Sequence, residues 1–334
     1  MDAALLPTFW AALIGFSLLV YVLLDGFDLG VGILFGATRR SDFRSEMLSA
    51  VAPVWDGNET WLVLVGASLF GAFPTVYAIF LSAFYLPVTL LLFALIFRGV
   101  AFEFRERAGR LRVIWDWGFF VGSLIASFVQ GAAVGAMVLE LKVVDGRFAG
   151  GPFDWISGFS ILCGLGLVAG YALLGAAWLI FKTTGELRDW AITRVRWLLG
   201  ITMGFVALAL VFAATTHLRV FERWHEHPWL LAFPVIAAAA AIALYRWPRH
   251  RRRDGRPFIW AALIFLSAFS MLSGSFWPYM IPFSVTVESA ASPRESLEFM
   301  FYGAALIVFP MVLVYTVGRY WIFRGKIRRD DDYG

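Results

Sequence analysis

Long apolar runs follow one another along almost the whole chain, and the charged positions collect in the short gaps between them. A bilayer hydrocarbon core of about 30 Å takes about 20 apolar residues of helix. The pattern therefore predicts membrane helices near 9–36, 54–72, 76–103, 115–139, 153–181, 192–216, 229–246, 258–281 and 300–322. Only "GAFPTVY" separates the second run from the third, and Pro74 marks a tight turn there. No long soluble segment is left over. The expected fold is all-α and polytopic, about nine transmembrane helices in a single membrane domain over 1–334, with the termini on opposite sides.

Composition supports this class and excludes a soluble globule: 60% of the 334 residues are hydrophobic and 16% charged, with a mean hydropathy of +0.75. The formal charge of +4 does not call for nucleic acid, because the arginines sit in short loops. Counted on alternate sides of the nine runs, Lys and Arg number 22 on one side and 5 on the other, with Arg98 inside a run. The basic side faces the cytoplasm, so the N-terminus is expected in the periplasm and the C-terminus in the cytoplasm. The densest basic run, "RWPRHRRRDGR" at 246–256, reads as an anchor beside anionic lipid. "MDAALLPTFW" lacks the basic start of a cleavable signal, so the first span is expected to be retained. Cys163, the single cysteine, offers no disulfide within the chain.

Against this background the acids stand out. "LLDGFDLGVGILFG" sets Asp25 and Asp28 deep in the first run. At i and i+3 they share a helix face, about 4.5 Å apart along the axis, and that face cannot look at lipid. Gly26 and Gly30 let a neighbouring helix come close enough to cover them. "PVWDGNETWLV" adds Asp56 and Glu59 in the opening turns of the second run, where the helix dipole also favours acids. The predicted orientation puts both clusters in the cytoplasmic half. Arg98 is the candidate counter-charge, with a snorkelling interfacial arginine as the alternative. Asp116, between Trp115 and Trp117, reads as interfacial. Buried acids that open to one side make a candidate proton path through Asp25, Asp28, Asp56 and Glu59; structural pairing between helices is the other reading.

No residue is singled out as catalytic, metal-binding or cofactor-binding. His217, His225, His227 and His250 all fall outside or at the ends of the apolar runs, whereas buried haem needs axial ligands within spans. A proton-coupled secondary transporter is the rival class, but the second half carries no acidic pair to match the first.

"DGFDLGVGIL" followed by "APVWDGNETWLV" resembles the second subunit of the cytochrome bd-type quinol oxidases, including the cyanide-insensitive branch. The likeness extends through "VYAIFLSAFYLPVTLLLFALIFRGVAFEFR" and "WDWGFFVGSLIASFVQGAAVG", and the nine-run layout carries it over the rest. The resemblance implies a haem-free subunit of a complex in the bacterial cytoplasmic (inner) membrane that oxidises quinol and reduces dioxygen to water. Haems b558, b595 and d are then expected in the partner, subunit I. It further implies a cytoplasmic proton route matching Asp25, Asp28 and Asp56, and a family arginine matching Arg98. A structural quinone and a small accessory subunit are left open. The short "FERWHEHP" loop departs from members with longer loops there, so quinone contacts made by those loops do not carry over.

Overall fold

The computed structural model describes residues 5–105, 107–247 and 254–327. Most of the basic run at 246–256, with His250, and the last seven residues lie outside these. The order is α1 (Leu6–Gly36), α2 (Ser41–Val51), α3 (Trp55–Ala72), α4 (Pro74–Arg105), α5 (Arg112–Val138), α6 (Gly158–Lys182), α7 (Gly185–Thr215), α8 (Arg219–Glu226), α9 (Ala232–Tyr245), α10 (Gly255–Phe276), α11 (Val287–Ala290), α12 (Arg294–Met300) and α13 (Phe309–Ile322). A π-helical stretch, Phe301–Val308, joins α12 to α13 in one rod.

Among the described residues eight helices are long and apolar enough to cross a membrane, against the nine expected. The shortfall is α3, whose first two turns hold Asp56, Asn58 and Glu59 and lower its hydropathy. Its contacts nevertheless carry it from one end of the bundle to the other. Near its start Asn58 meets Tyr320, at the C-terminal end of the molecule; at its finish the Ala72 carbonyl accepts from the Ser292 amide at 2.9 Å, at the N-terminal end. At 18 residues it spans about 27 Å. Four predicted edges move by more than a turn. The run at 153–181 becomes a helix only at Gly158, where Ser157 and Ser160 form a capping box, and the helix at 192–216 already begins at Gly185. The run at 258–281 ends as a helix at Phe276, with Tyr279–Ile281 in a strand, and the last rod, expected over 300–322, begins at Arg294.

The buried centre is built on α1, α5 and α6, while α7, α9 and α13 face outward. Glycine sets how close the inner helices come. A Cβ on Gly30 would sit 1.8 Å from the Tyr171 carbonyl oxygen, and one on Gly175 2.4 Å from the Gly30 carbonyl carbon, so the α1 and α6 backbones touch. Phe27 stacks on Trp178 across this seam, centroids 4.0 Å apart. In α4 the backbone kinks at Phe84, three residues before Pro87, whose ring takes away a helical N–H and crowds the preceding turn.

At the C-terminal end short-range ties close the bundle. Arg40 pairs with Glu186 at 2.6 Å and Arg188 with Asp254 at 2.7 Å. The segment after α13 lies against the end of α6, where the Ile327 amide donates to the Lys182 carbonyl and Lys182 itself caps the Phe323 and Gly325 carbonyls. The opposite end carries two small hairpins, β1–β2 (Val143–Val144 with Arg147–Phe148) and β3–β4 (Tyr279–Ile281 with Val285–Thr286).

Candidate functional site: a buried carboxyl cluster around one arginine

Asp25 and Asp28 project from one face of α1 toward α3 and α4, and both are fully buried. Arg98 of α4 lies opposite, equally buried, and its Nη1 is 2.8 Å from Asp25 Oδ1 and 3.0 Å from Glu59 Oε1 of α3. Its Nη2 is 3.9 Å from Asp28 Oδ2. Three carboxyls thus surround one guanidinium, which stays cationic at any ordinary pH. The snorkelling alternative does not describe this arginine, since its side chain has no exposure at all. Close packing surrounds it: a Cβ on Gly99 would sit 3.3 Å from the Trp55 ring, which stacks on Phe102 at 5.0 Å, and the guanidinium carbon is 6.0 Å from the Trp55 ring centre.

Asp28 is further tied by a residue that the sequence reading passed over. Asn58 Nδ2 donates to Asp28 Oδ2 at 2.7 Å and to the Leu24 carbonyl at 3.3 Å, while its Oδ1 accepts from the Tyr320 hydroxyl at 3.0 Å. Asn58 stood in view inside "WDGNET". Tyr320 is 262 residues further along, and no local pattern announces it.

The other two acids differ in position. Glu59 is 25% exposed, the one member of the cluster with a face toward the outside. Asp56, one turn nearer the C-terminal end and 55% exposed, turns away from Arg98 and pairs with Arg319 of α13, which also donates to the Tyr315 hydroxyl. Asp56 therefore stands at the rim, and Glu59 makes the contact with the interior. Asp116, read as interfacial, accepts from Arg105 Nε at 2.5 Å and Arg44 Nη1 at 2.9 Å, tying α2, α4 and α5 together at the same end.

His217, His225 and His227 lie at the N-terminal end, exposed or half-buried around α8. Among the described residues no histidine lies inside the bundle, and no three His, Cys, Asp or Glu side chains come together as a metal site. The arrangement is suited to holding and exchanging protons between carboxyls around a fixed positive charge.

The family model for cytochrome bd terminal oxidase subunit II matches residues 6–323. The chain is 30% identical to cytochrome bd-I ubiquinol oxidase subunit 2 of Escherichia coli strain K12, over 99% of this chain and 97% of that one. It is likewise 30% identical to cytochrome bd ubiquinol oxidase subunit 2 of Bacillus subtilis strain 168, over 97% of each. Its fold superposes on a chain of the bd oxidase structure from Geobacillus thermodenitrificans with a TM-score of 0.73 and 17% identity, covering 95% of this chain and 99% of that one.

Proposed function

Since this chain belongs to the cytochrome bd terminal oxidase subunit II family, we propose that it is the haem-free membrane subunit of a quinol-oxidising, dioxygen-reducing complex and takes up protons for that reaction. A haem-bearing subunit I is its partner, and the redox chemistry belongs there. The 22 to 5 basic asymmetry supports a cytoplasmic C-terminal end, in the cytoplasmic membrane of a bacterium.

The observation that carries the proton reading is the set of three carboxyls held against one buried guanidinium, Arg98, opening outward through Glu59. One guanidinium balances one carboxylate. Leaving the remaining carboxyls ionised in a low-dielectric interior would cost several kcal/mol each, so the cluster stores protons that it can give up when charge changes nearby. Glu59 receives a proton from water at the C-terminal end and passes it inward to the Asp25 and Asp28 pair. Arg98 keeps its charge throughout and gathers the three carboxyls around one guanidinium, each within 3.9 Å of it.

The test is purification through a tag on this chain. The intact complex should show the visible spectrum of b- and d-type haems, and the chain purified alone and folded should carry none. A complex without d-type haem, or stoichiometric haem in the isolated chain that is lost on His217→Ala, would refute the reading.

A further inference from the structure

The C-terminal end of the bundle carries a second charge cluster with the opposite balance. Around Arg98 three carboxyls share one guanidinium; around Asp116 three guanidiniums gather near one carboxylate. Asp116 Oδ1 accepts from Arg105 Nε at 2.5 Å and its Oδ2 from Arg44 Nη1 at 2.9 Å, so each oxygen already has its arginine. Arg112 lies four residues before Asp116, on the same face of α5, and donates from Nη2 to Ser45 Oγ at 3.1 Å, beside Arg44 on α2. Among the described residues no other acid pairs with these three arginines, which leaves two positive charges unbalanced.

These like charges are held close together. The Arg44 and Arg105 guanidinium carbons lie 4.9 and 5.3 Å from the centre of one ring, that of Phe35. Arg105 is 1% exposed, and its Nη1 and Nη2 are buried without a hydrogen-bond partner. Buried donors of a charged group are nearly always satisfied, and leaving two of them empty is costly. The rim is more open: Arg44 is 23% exposed, and the half-buried Arg112 has only a hydroxyl for a partner.

A group with several negative oxygens satisfies such a set. Phosphate presents them in pairs that match the fork of a guanidinium, and arginine is the side chain suited to it. Depth identifies the carrier. Arg105 closes α4 immediately after the exposed Phe104, whose ring stacks on Trp115, and Ile114 and Trp117 of α5 are exposed on the turn that carries Asp116. Arginines bordered by exposed apolar rings, on the side that the basic asymmetry puts in the cytoplasm, stand at the level of lipid headgroups. We propose that Arg44, Arg105 and Arg112 form a binding site for the phosphate of an anionic lipid headgroup where α2, α4 and α5 meet. Arg44 and Arg112 meet the phosphate at the rim, and Arg105 turns its two empty donors to it from behind. Asp116 is a positioning residue that keeps Arg44 and Arg105 side by side against their repulsion. The site uses none of the residues of the basic run at 246–256.

Native mass spectrometry of the intact complex, purified in mild detergent and titrated with phosphatidylglycerol, counts the bound lipid directly. The parent should retain one lipid more than Arg105→Gln. Arg112→Gln keeps a donor for Ser45 and should bind that lipid about tenfold more weakly, the effect of losing one hydrogen bond to a charged group. Phosphatidylcholine, whose headgroup carries its own cation, should leave the site empty. Arg110→Gln removes an exposed arginine from the same connection and should bind as the parent does. Equal weakening by Arg110→Gln would show diffuse attraction to a basic surface and overturn the site. If Arg105→Gln fails to assemble, Arg112→Gln carries the test, and parental binding in that variant would overturn the proposal. Inorganic phosphate that displaces the lipid at equal concentration would keep the phosphate site and overturn its lipid source. Loss of the partner subunit from Arg112→Gln with lipid binding unchanged would show that a carboxylate of that partner covers the arginines, and would overturn the proposal as well.

Discussion

Arg98→Leu removes the one cation from a site where three carboxyls lie within 4 Å of it, two of them fully buried. At 2.8 Å and an effective dielectric of about 20, the attraction to Asp25 alone is about 6 kcal/mol before desolvation is counted. Much of that offsets the cost of taking both ions out of water, so the net loss on breaking the pair from one side is about 3–5 kcal/mol. A domain with about 5–15 kcal/mol of stability loses a large fraction of it. The predicted result is a collapse in the yield of assembled complex, read as haem per tagged chain, with an unchanged quinol Michaelis constant in whatever assembles. The double variant Arg98→Leu with Asp25→Asn should recover part of the yield, because it no longer strands that buried carboxylate. Arg98→Leu at parental yield, or a double variant worse than the single, would refute the electrostatic reasoning.

Other predictions test different parts of the structure. Gly30→Val should abolish assembly by forcing α1 off α6, whereas Gly15→Ala on the same helix, with no atom within 4 Å of an added Cβ, should leave yield unchanged; equal yields would contradict the close backbone contact. A reporter active only in the cytoplasm should work at the C-terminus and fail in the hairpin around Asp145, and the reverse pattern would overturn the orientation and the side of proton entry. Asp254 sits beneath the C-terminal segment. Burial raises its proton affinity, but hydrogen bonds from Arg188 and Lys326 outweigh it and hold the carboxyl below its ordinary value. A depressed carboxylate contributes stability above its ordinary value and loses it as pH falls through the folded value. Asp254→Asn should therefore melt lower than the parent above about pH 4 and converge with it in stronger acid; a gap that persists in acid would contradict the ion-pair account.

The helical class, the alternation of direction and most span edges were legible because apolar length is a local property and the bilayer sets its scale. The second predicted span, α3, shows the limit of that signal. Its polar opening turns depress its hydropathy, yet those turns carry Asn58 and Glu59, which touch the cluster. The i, i+3 spacing of Asp25 and Asp28 gave a shared face, and the glycines beside them gave the close approach. What lay across that face was only partly readable. Arg98 was visible as a charge inside an apolar run. Tyr320 was not, because a tyrosine in such a run looks like any other interior residue until distant helices bring it to a partner. Asp56, read with Glu59 as part of one candidate path, lies one turn nearer the rim and pairs with Arg319, a partner that no local pattern announces.

The most direct measurement of proton uptake through this cluster is quinol-dependent oxygen consumption per haem in sealed vesicles, with the pH on each side varied independently. Asp28→Asn, Glu59→Gln and their combination keep the shape of the site and remove its exchangeable protons. Each should slow turnover at unchanged haem content, most steeply as pH rises on the side of the C-terminus and with no response to pH on the other. Parental turnover in both variants and in the combination, at every pH on either side, would show that the carboxyls around Arg98 hold helices together and conduct nothing.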